Sequence, residues 1–115
     1  MKAPRFDYVE LPVSNLDEAV AFYEAAFGWT LARFGPTYAG TTTGDTDVGL
    51  QADSAEAPKS PLPVVQVEDI AAAASAVEAA GGDIVRPVFT FPGGRRFHFR
   101  DPNGNELAVW QASGE

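Results

Sequence analysis

FDYVELPVSNLDEAVAFYEAAFGW, Phe6 to Trp29, changes its hydrophobic period halfway along. Over Phe6 to Val13 the pattern alternates. Val9, Leu11 and Val13 fall on one face and Tyr8, Glu10 and Pro12 on the other, as in a strand. From Leu16 onward the period is helical: Leu16, Ala19, Val20, Tyr23 and Phe27 share a stripe. Ser14 or Asn15 caps this helix, Asp17 and Glu18 suit its positive N-terminal end, and Gly28 stops it. A strand followed at once by a capped helix is the start of a βα unit. Three short candidate strands follow, at Trp29 to Phe34, Tyr38 to Thr43 and Val48 to Ala52, separated by Gly35-Pro36 and Gly44-Asp45.

The pattern then restarts. Residues 53–61, DSAEAPKSP, read as a linker. Leu62 to Val67 is a strand, Asp69 a cap, Ile70 to Ala80 an Ala-rich helix and Gly81-Gly82 its end. Strands at Asp83 to Val88, Arg95 to Arg100 and Glu106 to Gln111 complete the second half. An offset of 54 lays Val13 on Val67, Ala19 on Ala73 and Gly28 on Gly82. The expected fold class is therefore α+β, a duplicated βαβββ module: module one 1–53, linker 54–61, module two 62–115, in one domain 1–115.

The last two strands, RFHFRDPNGNELAVW from Arg96 to Trp110, form a hairpin. Pairing Arg100 with Glu106 places Phe97, Phe99, Leu107 and Val109 on one face. Arg96, His98, Arg100, Glu106, Ala108 and Trp110 share the other, and Trp110 is poorly suited to open solvent. Asp101 and Asn103 shape the turn. Gly93-Gly94 after Pro92 reads as a mobile loop resembling a lid. Phe22, Tyr23 and Trp29 read as core or helix-end packing.

Sixteen acidic and eight basic residues give a net charge of −8. That argues against nucleic-acid binding and is compatible with a cationic ligand, or serves solubility alone. Cysteine is absent, which excludes disulfides and Cys-based zinc sites. No apolar run approaches the roughly 18 residues of a membrane span, and MKAPRFDYVEL is unlike a signal peptide. A cytoplasmic protein without nucleic-acid or membrane partners is expected.

VELPVSNLDEAVAFYEAAFGW, GGDIVRPV and FRDPNGNELAVW together resemble the vicinal-oxygen-chelate, or glyoxalase/bleomycin-resistance, superfamily, over nearly the whole chain. The most specific pieces are the Ala-Phe-Tyr helix before Gly28-Trp29 and the turn Asp101 to Asn105. The resemblance implies paired modules forming a cup-shaped, curved mixed sheet with helices outside, a small-molecule pocket inside and a homodimer. It also implies where metal-dependent relatives hold their ion. The first-strand positions are Tyr8 and Leu62, the last-strand position is Ala108, and the remaining one lies near Val48 to Ala52, where Gln51 is the nearest donor. Alkyl groups and a neutral phenol are poor ligands for a divalent ion. No metal or other cofactor is expected.

Strand parity gives the expected pocket. Leu62, Val64 and Ala108 supply apolar wall, and Tyr8, Glu10, Gln66, Arg96, His98, Glu106 and Trp110 bind ligand. Trp110 and Tyr8 can stack on a planar molecule, so a cationic or aromatic ligand suits this list. His98, the single histidine, is the candidate proton carrier, and Glu10 is a second. Each has a plainer reading: His98 as a hydrogen-bonding group, Glu10 as an ion-pair partner of Arg96 or Arg100. The expected function is metal-independent small-molecule binding. The alternative is a metal-independent lyase, isomerase or cyclase using His98 or Glu10.

Overall fold

The computed structural model describes residues 3–113. The outermost ends of the two expected modules, 1–2 and 114–115, lie outside the described residues. The elements are β1 (Arg5–Pro12), α1 (Leu16–Phe27), β2 (Ala32–Arg33), β3 (Tyr38–Gly40) and β4 (Asp47–Gln51). They are followed by β5 (Leu62–Gln66), α2 (Ile70–Ala79), β6 (Asp83–Phe91), β7 (Gly94–Arg100) and β8 (Glu106–Ala112). This is βαβββ twice, an α+β fold with mixed strand pairing. Two compact units result. One is Tyr8–Leu62; the other joins residues 63–113 to residues 3–7, which include the start of β1.

In the unit Tyr8–Leu62 the strand order is β2-β3-β4-β1. β1 runs parallel to β4, with Tyr8 opposite Asp47 and Pro12 opposite Gln51. β3 and β2 add on as antiparallel strands. α1 packs Leu16 and Val20 on Leu31, Ala39, Val48 and Leu50, with Leu11 from β1 and Val13 just after it joining as the alternation required. Asn15 caps α1, its side chain accepting from the Glu18 N–H, and Gly28 closes it at φ 70°. The expected Trp29 to Phe34 strand shrinks to two residues, and the Trp29 indole stacks on Tyr23 at 5.4 Å instead. Phe22 does not pack inward; it is 59 % exposed. The expected Tyr38 to Thr43 strand ends at Gly40 because Asp47 gathers the next turn. Its carboxylate accepts from both Thr41 and Thr43 hydroxyls and from the Thr43 and Gly44 N–H groups.

The other unit repeats the plan in the order β5-β8-β7-β6. β5 lies parallel to β8, with Val64 opposite Ala108 and Gln66 opposite Trp110. α2, capped by the Asp69 carboxylate, packs Ile70 on Phe97 and Val109, with Val65, Val67, Ile84 and Phe99 around them. Asn15 and Asp69 stand 54 residues apart, as the duplication requires. The match of Gly28 with Gly82 is off by one, since the left-handed residue after α2 is Gly81, at φ 102°.

Two further expectations change. β6 extends three residues past Val88 to Phe91, and Gly93-Gly94 is not a mobile lid. Pro92 and Gly93 form a tight hairpin turn. Gly93 accepts from the Ser113 N–H, and Gly94 already pairs with Phe91 and Ala112. Only glycine fits at 94: φ is 154°, and a β-carbon would collide with the Gln111 carbonyl.

Candidate functional site on β6, β7 and β8

The β7–β8 ladder has the register read from sequence. Arg100 faces Glu106, His98 faces Ala108 and Arg96 faces Trp110. Phe97 and Val109 therefore go to α2, while His98, Arg96, Glu106 and Trp110 take the opposite face. Next to them β6 carries two irregularities, one between Ile84 and Arg86 and one between Arg86 and Phe89. Each inserts one unmatched residue, a β-bulge, and each shifts the alternation by one. Ile84 packs toward α2 opposite Phe99, yet Arg86 pairs with His98 and Phe89 with Arg96. Without the first bulge Val85 would face His98, and Arg86 would point at α2. The bulges thus turn a guanidinium and a ring onto the His98 face. Neither residue was found from sequence, because an alternation broken twice carries no readable parity.

His98 is buried, 7 % exposed. Both of its ring nitrogens are engaged within the protein. Arg96 Nε lies 3.2 Å from Nε2, and Glu106 Oε2 lies 3.0 Å from Nδ1. Arginine can only donate, so Nε2 is the acceptor and the proton sits on Nδ1, donated to Glu106. The imidazole is neutral, and its contact with Glu106 is a hydrogen bond rather than an ion pair. Burial pushes the His98 pKa below 6.5, the Glu106 hydrogen bond opposes this, and the charges of Arg96 and Arg86 reinforce it. Around this chain, the Arg86 guanidinium carbon sits 3.8 Å from the Phe89 ring centre and that of Arg96 sits 5.6 Å from it.

Farther along the same face Trp110 meets Phe91, ring centres 6.2 Å apart, across the bare backbone of Gly94. The indole N–H donates to Asp7 Oδ1 at 2.9 Å. Asp7 is itself 9 % exposed. A contact spanning 103 residues between an odd-position carboxylate and Trp110 gave no local signal. Gln66 lines a separate groove of about 510 Å³ with Arg5, Glu68 and Gln111, and is the one residue of the expected pocket found there.

In the unit Tyr8–Leu62, Glu10 is 3 % exposed. It accepts from the Tyr38 hydroxyl at 3.4 Å, and the Tyr8 hydroxyl is hydrogen-bonded to that of Tyr38. Gly49 makes this possible, since a side-chain carbon there would strike both hydroxyls. Tyr38 was not foreseen as a site residue; it opens a three-residue strand just after Gly35-Pro36.

The positions that the resemblance gives to metal ligands do not fit a divalent ion. Leu62 and Ala108 are alkyl and buried, the Tyr8 hydroxyl engages Tyr38, and Gln51 Oε1 accepts from the Asp53 N–H. Among the described residues no three His, Cys, Asp or Glu side chains converge on a common point.

The sequence profile of the glyoxalase/bleomycin resistance protein/dioxygenase superfamily matches residues 5–109. The chain belongs to that superfamily. No curated protein matches it. Among solved structures, a hypothetical protein from Bacillus halodurans C-125 is similar at TM-score 0.80 and 15 % identity, covering 99 % of this chain and 98 % of that one. Methylmalonyl-CoA epimerase from Mycobacterium tuberculosis is similar at TM-score 0.74 and 16 % identity, with coverage of 95 % and 88 %. A protein described as NAD-dependent benzaldehyde dehydrogenase from Legionella pneumophila is similar at TM-score 0.74 and 18 % identity, with coverage of 92 % and 98 %. At these identities the superfamily likeness speaks for the fold. Among the described residues no helix is long and apolar enough to cross a membrane.

Proposed function

We propose that this superfamily member binds a small molecule without a metal, using the β6–β8 face on which Arg96, His98, Glu106 and Trp110 stand. The carrying observation is the Glu106–His98–Arg96 chain. A histidine placed to move protons keeps one nitrogen toward its substrate, whereas His98 spends both on neighbours and fixes the Arg96 guanidinium. A fixed arginine beside aromatic surface is recognition chemistry. Trp110, tied to Asp7, supplies a rigid flat wall. Gln66, paired with Trp110 from the adjoining strand, lines the separate groove and is not counted in this site. Leucine and alanine at positions where metal-dependent relatives carry ligands support metal independence.

The working molecule is proposed as a cytoplasmic homodimer with the ligand in a cup of sheet. Screening chelator-treated protein with aromatic metabolites and antibiotics by thermal shift, then titrating hits against Trp110→Ala and Arg96→Gln, tests the proposal. Binding that neither substitution weakens would remove this face from consideration.

A second reading is favoured by the buried carboxylate at Glu10. With Tyr38 and Tyr8 hydroxyls in series, it is a carboxylate of the kind that serves as a general base. In that reading the protein is a metal-independent lyase, isomerase or cyclase. Turnover that is lost in Glu10→Gln but kept in His98→Ala would establish Glu10 as its base.

A further inference from the structure

We infer that the groove lined by Arg5, Gln66 and Gln111 is a second small-molecule site, and that it takes an aliphatic carboxylate. The groove forms where β1 begins and where β5 and β8 end, wholly within the unit of residues 3–7 and 63–113. Its volume of about 510 Å³ is that of a small-molecule pocket. It is separate from the His98 face, so binding in it stands or falls independently of the function proposed for that face. Val67 and Ala112 give it aliphatic wall, and no ring lines it among the described residues, so it offers nothing for a flat aromatic molecule to stack on.

The polar groups of the groove are donors. Arg5, the first residue of β1, has neither an ion pair nor a hydrogen bond through its guanidinium among the described residues. Its planar fork of N–H groups is the shape that a carboxylate meets with two bonds. Gln111 is held in one orientation. Its Oε1 accepts from the Ile70 N–H at 2.8 Å, and Arg95 reaches the same oxygen at 3.4 Å. Both of those groups can only donate, so the oxygen is spent on them and the Nε2 donors of Gln111 are left over for a ligand. Gln66, the last residue of β5, is half-buried, and its amide has no partner among the described residues. Arg95 also has no ion pair there, so a second positive charge stands behind the Gln111 amide. Glu68 is the one acid in the lining; it already has an interaction within the protein, and Arg5 is not its partner. A carboxylate can only accept, which matches a guanidinium and two amides that offer N–H groups, and an alkyl chain matches the wall beside them.

Three probes of one shape, hexanoate, hexanamide and hexylamine, test this by titration followed in a proton–nitrogen correlation spectrum. Hexanoate should bind about tenfold more tightly than the amide, with the amine weakest. Its addition should move the Gln66 and Gln111 side-chain amides and the Arg5 Nε–H together and leave the Trp110 indole still. Arg5→Gln should weaken hexanoate by about tenfold and leave hexanamide within about twofold, while Arg5→Lys keeps the charge, loses the fork and falls between. Arg5 is exposed at the start of its strand, and circular dichroism of both variants checks that they fold. Hexanoate that does not bind, or that binds Arg5→Gln as tightly as the parent, would overturn the site. Hexanamide or hexylamine binding as tightly as hexanoate would overturn the carboxylate assignment. Movement of Trp110 with Gln66 and Gln111 still would place the carboxylate on the His98 face, overturning the groove as its site while leaving the proposed function standing.

Discussion

His98 donates its Nδ1 proton to Glu106 Oε2 across 3.0 Å, and this one bond sets which way the rest of the chain of polar groups points. With the proton on Nδ1, Nε2 can only accept, and Arg96 is the donor it meets. Nitrogen chemical shifts of the imidazole should therefore report a neutral ring with the Nδ1–H tautomer at pH 7. Its titration midpoint should lie below the ordinary 6.5. Arg96→Met removes a charge that opposes protonation and should move the midpoint up; Glu106→Gln removes the favourable partner and should move it down. Opposite or absent shifts would mean that the three residues are not coupled as described.

The same depression makes stability depend on pH. Below the ordinary value of 6.5 the unfolded chain takes up a proton that the folded chain refuses, so stability falls as pH is lowered through that value. The fall stops once the pH passes the folded midpoint. His98→Asn leaves Arg96 and Glu106 without the ring and should be less stable by about 1–3 kcal/mol at pH 7.5. The gap to the parent should narrow toward pH 5, because the variant lacks the histidine penalty. Urea unfolding across that range measures both effects.

Exchange of two neighbours tests the bulge. Val85→Arg combined with Arg86→Val keeps composition and charge but moves the guanidinium to the unmatched position opposite no residue of β7. With the guanidinium moved away from the imidazole, the His98 midpoint should rise. An unchanged midpoint would show that charge on β6 matters and its placement does not.

Two glycines hold different things apart. Gly49→Ala pushes against the Tyr8 and Tyr38 hydroxyls, which can swing, and should cost about 1–3 kcal/mol while breaking the link to Glu10. Gly94→Ala pushes against the backbone of Gln111, which cannot swing, and at φ 154° should cost more than Gly49→Ala. Thermal denaturation of the two variants gives the ranking.

Much of this was legible because α1, α2, β7 and β8 obey simple periods. Asn15 and Asp69 announce their helices, and the Asp101 to Asn105 turn fixes the pairing of Arg100 with Glu106, from which the face assignments of β7 and β8 follow. The Asp101 carboxylate accepts from the Asn103 and Asn105 N–H groups, so the turn chemistry read from sequence is the chemistry present. What escaped was non-periodic or non-local. Arg86 and Phe89 depend on two bulges, and Asp7 meets a tryptophan at the far end of the chain. Tyr38 lies on a strand too short to show a pattern. The tautomer of His98 could not be read from sequence either, since it depends on which side of the ring Arg96 approaches.

The most direct measurement is a proton–nitrogen correlation spectrum of chelator-treated protein during a titration with an aromatic hit from the thermal-shift screen. It follows the Trp110 indole N–H, the Arg86 and Arg96 Nε–H groups and the Gln111 side-chain amide. The expected result is that the Trp110, Arg86 and Arg96 signals move together and saturate at one ligand per chain, with Gln111 still and no dependence on added metal. Movement confined to Gln111 and the groove it shares with Arg5, or a response only after a divalent ion is added, would contradict a metal-independent site on the His98 face.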